Sequence, residues 1–364
     1  MKYISEFRDR DIIERLAKAI HLQASGLTHE MKIMEVCGTH TMAIGRYAIR
    51  SMLPSSIMLI SGPGCPVCVT PRSYLDSAIE LSKLPGLSVA TFGDMLKVPG
   101  SSSSLEKERA AGRNIRVVYS PFECLDLAME DPTRDTLFLS VGFETTAPVA
   151  AAALREAELR GIRNLYFYSG HKLLLPAMEA LLQSGEAKID AFICPGHVSA
   201  VTGTAVYEDI VGKYNIPCVV SGFEPVDILQ SILALVEILT GKKNPSVINQ
   251  YRRVARRSGN RKAQDAMSAV FEVSDSNWRG LGAIPESGLS LRKEYGRYDA
   301  LKRFPLKLKE KPEEKGCICG EILKGVRTPR DCILFGRQCT PGNPVGPCMV
   351  SSEGTCAAFY RYGG

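Results

Sequence analysis

Met34-Glu35-Val36-Cys37-Gly38-Thr39-His40-Thr41 reads as the end of a short apolar strand running into a turn, with a helix over 43–52 behind it. A thiol at a strand-to-helix turn lies near the positive end of the helix dipole and its unpaired N–H groups, which favours thiolate over thiol. His40, three residues on, is in reach to hydrogen-bond the sulfur, relay a proton or join it on a metal. A buried cysteine beside a surface histidine is the plainer reading of these residues alone. The next strand end argues against it. Leu59-Ile60-Ser61-Gly62-Pro63-Gly64-Cys65-Pro66-Val67-Cys68 again delivers cysteines to a Gly/Pro turn, now as a C-x-x-C pair. Three cysteines at neighbouring strand ends make a site.

Around these turns the chain alternates short β-rich runs with helical stretches. A first series has strands expected at 31–37, 57–61, 87–91 and 115–119, and helices at 71–84 and 105–111. A second has strands at 136–141, 164–168, 191–194 and 218–221, and helices at 147–159, 174–182 and 203–214. The two series share motifs: 35–41 resembles 140–146, 60–65 resembles 192–197, and 90–96 resembles 220–225. This pattern predicts two similar Rossmann-like α/β units with mostly parallel sheets. The expected division is 13–118, 119–240, and a helical, cysteine-rich domain of 241–364 together with 1–12. In such sheets ligands collect outside the carboxyl ends of the strands. If the units face each other, the site is the cleft between them, with Glu144, Thr145, Thr146 and His197 on the wall opposite Cys37.

A chain of 364 residues, 45% hydrophobic and 23% charged, is an ordinary globular protein of two or three domains. Its net charge of +6 is modest and spread out, which neither implies nor excludes nucleic-acid binding, and no nucleic-acid partner is among those expected. Residues 1–14 have mixed charges and no apolar core, unlike a secretory signal. The apolar run 228–240 is too short to span a bilayer and is interrupted by Gln230, Ser231 and Glu237. A cytoplasmic protein with no membrane partner is the expectation. Twelve cysteines in a reducing compartment then read as metal ligands and redox thiols.

Half of those cysteines crowd into the last 48 residues as C-x-C-x12-C-x6-C-x8-C-x7-C, from Cys317 to Cys356. Zinc ribbons prefer two C-x2-4-C knuckles, whereas the close pair here is C-x-C. Six thiols also exceed one tetrahedral site. A [4Fe–4S] cluster with a surplus pair fits the count, and the spacing leaves open which four bind. Between the series and this module, 228–270 reads as helical, with Arg252, Arg253, Arg256 and Arg257 on one helix side. Residues 271–289, holding the single tryptophan Trp278, read as loop and turn, and 301–315 as a charged linker that lets the module fold with some independence.

Taken together, the motifs resemble the HypD family of hydrogenase maturation proteins. They are Cys37-Gly38-Thr39-His40, Gly62-Pro63-Gly64-Cys65-Pro66-Val67-Cys68, Phe92-Gly93-Asp94-Met95, Gly142-Phe143-Glu144-Thr145-Thr146-Ala147-Pro148, Cys194-Pro195-Gly196-His197-Val198-Ser199 and the six-cysteine tail. The resemblance covers essentially the whole chain. It implies two α/β domains and a third carrying a [4Fe–4S] cluster, and a role in building the Fe(CN)2CO group of [NiFe]-hydrogenases. It also implies a complex with the small chaperone HypC, cyanide delivered by HypE after charging by HypF, and the hydrogenase large subunit as indirect recipient. Carried onto this sequence, Cys37 holds a transient Fe(II) bearing CN and CO ligands, with His40 beside it, and Cys65 with Cys68 is the redox pair. By a weaker likeness to the cluster region of ferredoxin–thioredoxin reductase, Cys317, Cys332, Cys339 and Cys356 bind the cluster and Cys319 pairs with Cys348.

Two functions of different class follow. An assembly scaffold needs a thiol outside the exchange pair, and Cys37 is one. A free-standing iron–sulfur thiol–disulfide oxidoreductase needs only Cys65-Pro66-Val67-Cys68 and an electron source. A zinc-stabilised nucleotide-binding protein fares worse, because the chain has neither G-x-G-x-x-G nor G-x-x-x-x-G-K-[ST].

Overall fold

The computed structural model describes residues 5–306 and 316–363; most of the charged linker expected at 301–315 lies outside the described residues. Its strands are β1 (Met31–Glu35), β2 (Ile57–Ser61), β3 (Leu87–Thr91), β4 (Ile115–Val117), β5 (Asp135–Gly142), β6 (Leu165–His171), β7 (Ala191–Pro195), β8 (Cys218–Ser221), β9 (Val247–Asn249), β10 (Phe271–Trp278) and β11 (Gly282–Leu291). Two sheets are wholly parallel, ordered β2-β1-β7-β8-β9 and β4-β3-β5-β6. Helices cover their faces, so inner strands such as β3 are buried along their whole length and show no alternation of apolar and exposed polar residues. The chain is thus the α/β protein with parallel sheets that its periodicity predicts.

The sheets do not sort by series. β1 and β2 of the first series pair with β7 and β8 of the second, while β3 and β4 join β5 and β6. A division at residue 118 therefore runs through the second sheet, because β3 pairs with β4 on one side and β5 on the other. Strand periodicity reports that a segment is a strand; partner choice depends on which crossover closes the sheet.

Three buried layers result. On one face of the first sheet lie α1 (Arg10–Ala24) and the helix Pro225–Leu239, whose Ile228, Leu229, Ile232, Leu235 and Val236 pack with Ile33, Ile193 and Val219. Each such side chain contributes about 2 kcal/mol by leaving water. The second sheet is backed by Ala147–Leu159, whose run of alanines lets the helix approach Phe138 and Phe167 closely. Between the sheets a third core joins Met34, Tyr168, Phe192 and Trp278 to Ile322, Leu323, Cys348 and Met349 of the cysteine module. The module is built into the main core rather than set apart from it.

Three stretches differ from their periodicity. The helix expected at 43–52 begins earlier, as α2 (Gly38–Arg46), and stops where Ala48 takes φ +52, ahead of a 3-10 turn at Ile49–Met52. The region 271–289 is an antiparallel hairpin, β10 with β11, not loop. Most of β10 is solvent-facing on both sides, so it lacks alternation; Trp278, bonded through Nε1 to Ser287 Oγ at 2.8 Å, anchors its end. In 228–270, β9 interrupts the helices and Arg252 to Arg257 precede the next one, Arg261–Val270. Those arginines share no helix face: Arg253 pairs with buried Asp227 at 2.5 Å, and Arg257 with Glu208. Among the described residues no helix is long and apolar enough to cross a membrane.

Candidate functional site

Cys37 caps α2 from an extended backbone, and the Thr39 and His40 amides point at its sulfur. Gly38 donates its N–H to Gly64 O at 2.9 Å. A Cβ on Gly64 would fall 2.2 Å from the Cys37 nitrogen. Only glycine lets the turn after β2 lie on the turn after β1, and that contact places the C-x-x-C beside Cys37. From the module, Glu353 Oε1 accepts the Thr39 hydroxyl at 2.6 Å, and a Cβ on Gly38 would meet Glu353 Cβ at 2.5 Å.

His40 is fully buried, with Nε2 donating to Gly222 O at 2.9 Å, which leaves Nδ1 the bare acceptor, without a protein partner. Its ring lies 4.6 Å from Phe223, whose ring lies 4.1 Å from His197. Burial pushes His40 down to about 4, so it is neutral at pH 7. Burial also lowers His197, against the opposing charge of Glu353.

The expected thiolate at Cys37 is not the resting state. Burial, with Glu353 adding to it, pushes this thiol up to about 12. A helix terminus stabilises an anion by only about 0.3–1 kcal/mol at an exposed site, less than the desolvation that opposes it here. An incoming metal ion would reverse this, since thiolate ligation expels the proton. Cys37, Glu353, His197 and the free Nδ1 of His40 are donors suited to such an ion. Among the described residues no three of these side-chain types already converge at single-ion spacing.

Cys65 and Cys68 belong to a different arrangement. Cys65 caps the short helix α3 (Pro66–Val69), its sulfur accepting the Cys68 N–H at 3.3 Å. The Cys68 thiol hydrogen-bonds both Cys65 and Cys348. Cys348, in the 3-10 turn Pro347–Met349, also bonds Cys319, which in turn bonds Cys317. A continuous line of thiols, Cys65–Cys68–Cys348–Cys319–Cys317, thus crosses from the body into the module, and all are free. Hydrogen bonds from Cys319 and Cys68 hold Cys348 below the usual thiol range, whereas burial raises Cys68.

The line ends in a small cavity lined by all six module cysteines, closed by Ile322, Leu334, Phe335 and Met349. Cys356 faces Cys317, Cys319, Cys332 and Cys339 across it. Val345 donates its N–H to Cys339 Sγ at 3.3 Å, and a Cβ at Gly346 would stand 2.9 Å from Cys317 Sγ. Soft sulfur donors in an apolar pocket, with a backbone N–H on one sulfur, suit an iron–sulfur cluster. Cys319 and Cys348 are the pair in mutual contact on the side toward Cys68.

Of the residues expected on the opposite wall, His197 reaches the Cys37 region through Phe223. Glu144 is committed to a structural bond: its Oε1 accepts the Leu174 N–H at 3.0 Å, capping the helix Leu174–Ser184. Burial raises this carboxyl to about 7, and Oε2 has no hydrogen-bond partner among the described residues. Thr146 donates to Phe143 O within its own turn, and Thr145 follows the same turn. Sequence reasoning missed Glu353, Phe223 and Ser351. Asp94, of Phe92-Gly93-Asp94-Met95, accepts the Ser351 hydroxyl at 3.0 Å, and Ser351 Oγ accepts the Glu353 N–H at 3.3 Å. The motif's carboxylate thus positions the loop that carries Glu353. A carboxylate five residues after Cys348 was the available signal.

The HypD family model, described as "Hydrogenase formation hypA family", matches residues 11–363. The chain belongs to the HypD family. It is 46% identical over 370 residues to the hydrogenase maturation factor HypD of Azotobacter vinelandii, covering 100% of this chain and 97% of that one. It is 44% identical over 372 residues to the HypD of Cupriavidus necator, with 100% and 97% covered. It is 42% identical over 367 residues to the HypD of Escherichia coli, with 100% and 98% covered. This HypD-family chain is accordingly a hydrogenase maturation factor, and its cysteine arrangement is to be read in that setting.

Proposed function

We propose that this chain is the scaffold on which the Fe(CN)2CO group is assembled, with the iron as cargo on Cys37 and electrons supplied along the thiol line. The observation that carries the reading is the separation of two kinds of thiol. Cys37 has two carboxylates, Glu353 and Glu35, as its charged neighbours and no sulfur among the groups that act on it, while Cys68 is bonded to sulfur on both sides. HypC is the partner that completes the iron's ligand set from outside, and HypE, charged by HypF, is the cyanide donor. Soft thiolate suits low-spin Fe(II) carrying CN and CO.

The redox step balances on the residues present. Releasing cyanide from a protein thiocyanate consumes two electrons: R–S–CN plus the Cys65–Cys68 dithiol yields R–SH, HCN and the Cys65–Cys68 disulfide. Thiolate attack by Cys348 on Cys68 restores the thiols and moves the disulfide to Cys348–Cys319. Held by Cys317, Cys332, Cys339 and Cys356, a [4Fe–4S] cluster would supply electrons to that pair. Cys68 and Cys348 are both buried, so the exchange between them runs out of contact with bulk water.

A free-standing disulfide oxidoreductase draws on the same thiol line but leaves the surroundings of Cys37 unexplained. Infrared spectroscopy of the chain purified anaerobically with HypC tests the choice. CN and CO stretching bands that vanish with Cys37→Ala are expected. A complex without such bands that still reduces disulfides catalytically would establish the oxidoreductase instead.

A further inference from the structure

The edges of the two parallel sheets are not equally protected. β4 and β9 are three residues each, and β4 carries exposed Arg116. The outer side of β6 is bridged to Asp299, and the adjoining Lys172 to Gly288. β2 is the exception: five residues, Ile57-Met58-Leu59-Ile60-Ser61, with no charge, proline or bulge, ending its sheet. Natural proteins blunt or cover such edges, because unpaired N–H and C=O groups recruit another strand.

The register identifies the groups at stake. Met31 N–H bonds Ser56 O and Gly62 N–H bonds Glu35 O. By the alternation of a parallel ladder, Met58 and Ile60 also face β1. The N–H and C=O of Leu59 and Ser61 therefore point away from the sheet. Beside the strand lies a groove of roughly 460 Å3, lined besides β2 by Arg50, Phe359, Ile322 and residues 325–330. Its charged lining is Lys32, Arg50, Arg327 and Arg330 against a single carboxylate, Glu30. Arg50 is half-buried over the Phe359 ring with Glu35 as its nearby opposite charge, and its Nε and Nη2 lack hydrogen-bond partners among the described residues. The ion pair of Arg327 with Glu321 is exposed on both sides and holds it weakly.

We propose that the outer edge of β2 receives an extended, carboxylate-bearing segment of a partner protein, which pairs with the backbone of Leu59 and Ser61 and sets its acidic side chains against Lys32, Arg50 and Arg327. Main-chain pairing supplies affinity and the flanking walls select alternate side chains. An uncharged strand edge inside a cationic, mostly apolar groove fits that occupant better than a free anion, which would leave the edge unpaired. The segment would end beside Gly62, at the turn that carries Cys65.

The test uses the full chain and is independent of iron, so it stands or falls apart from the scaffold reading. The probe is a nine-residue peptide alternating valine and glutamate, with a valine–lysine counterpart, a form N-methylated at every second residue, and inorganic phosphate. Hydrogen–deuterium exchange is read over 57–61, and affinity by fluorescence polarisation. The valine–glutamate peptide should slow exchange at Leu59 and Ser61, and Lys32→Glu with Arg327→Glu should weaken it at least tenfold. The lysine and N-methylated peptides should bind at least tenfold more weakly. Equal binding of the N-methylated form, protection by phosphate alone, or no protection at millimolar peptide would overturn the proposal. Protection that rises with protein concentration alone, with a dimer in sedimentation, would assign the edge to a second copy instead.

Discussion

The turn after β1 and the turn after β2 both present a buried cysteine at a strand end, yet they do opposite things with it. Cys37 is flanked by oxygen and nitrogen groups from three parts of the chain: the Thr39 and His40 amides of its own turn, Glu35 of β1, and Glu353 of the module. Cys68 is enclosed by sulfur, between Cys65 and Cys348. A sulfur whose neighbours cannot exchange with it is fit to hold something. A sulfur bonded to two others is fit to pass electrons and return. The lesson is that a cysteine's role is set by the element its neighbours offer, since burial is common to both.

That contrast breaks most visibly at Cys37. Cys37→Ala should abolish hydrogenase maturation and the CN and CO infrared bands, with circular dichroism and visible absorption unchanged. Bands that survive would remove the distinction. Next comes the thiol line: Cys348→Ser should leave the visible absorption of the module but slow reduction of Cys65–Cys68 at least tenfold, measured by thiol trapping after dithionite. Undiminished reduction would show that the pair is served from elsewhere. A colourless Cys348→Ser protein would instead make Cys348 a cluster ligand.

Cys332→Ser addresses the module. It should lose the visible absorption and, because Ile322, Leu323 and Met349 share the core of Met34 and Phe192, lower the melting temperature of the entire chain. An unchanged melting temperature would restore the independent module that the linker composition suggested.

Two smaller effects sharpen the comparison through pH. With its thiol at about 12, Cys37 in the metal-free chain should react with iodoacetamide about tenfold faster per pH unit from pH 7 to 9. A rate that levels off below pH 9, followed by peptide mass spectrometry, would contradict the burial argument. Glu35 accepts the Cys37 N–H at 3.3 Å and the Thr41 hydroxyl at 2.5 Å. Burial chiefly raises its carboxyl from 4.5 to about 7, against the hydrogen bonds it accepts. Between those values the folded chain keeps a proton that the unfolded chain releases. Its contribution to stability therefore falls as pH rises from 4.5 to 7, by at most about 3 kcal/mol. Glu35→Gln should flatten that fall in urea denaturation at pH 5 and pH 7. An unaltered slope would place the titration elsewhere.

Much of this was legible locally. Largely apolar runs ending in Gly/Pro turns marked β1, β2, β5 and β7, because strands buried over most of their length favour apolar residues. Glu144 shows the limit: its turn resembles that of Cys37 in sequence, yet its carboxylate caps the helix Leu174–Ser184. The hairpin β10–β11 was hidden because most of its first strand meets solvent on both sides, and such a strand has no period to read.

The chemistry was carried by composition and spacing: a lone thiol, a C-x-x-C and six clustered cysteines. These are properties of short segments, and turn geometry follows from a few neighbouring residues. Which sulfur meets which is a different matter. Cys68 touches Cys348, 280 positions further along the chain, and Glu353 reaches Thr39 from 314 positions away. Such contacts depend on how β1 and β2 join β7 and β8, and on the module closing into the core between the sheets. They are set by the packing of distant surfaces, whose complementarity no local pattern records.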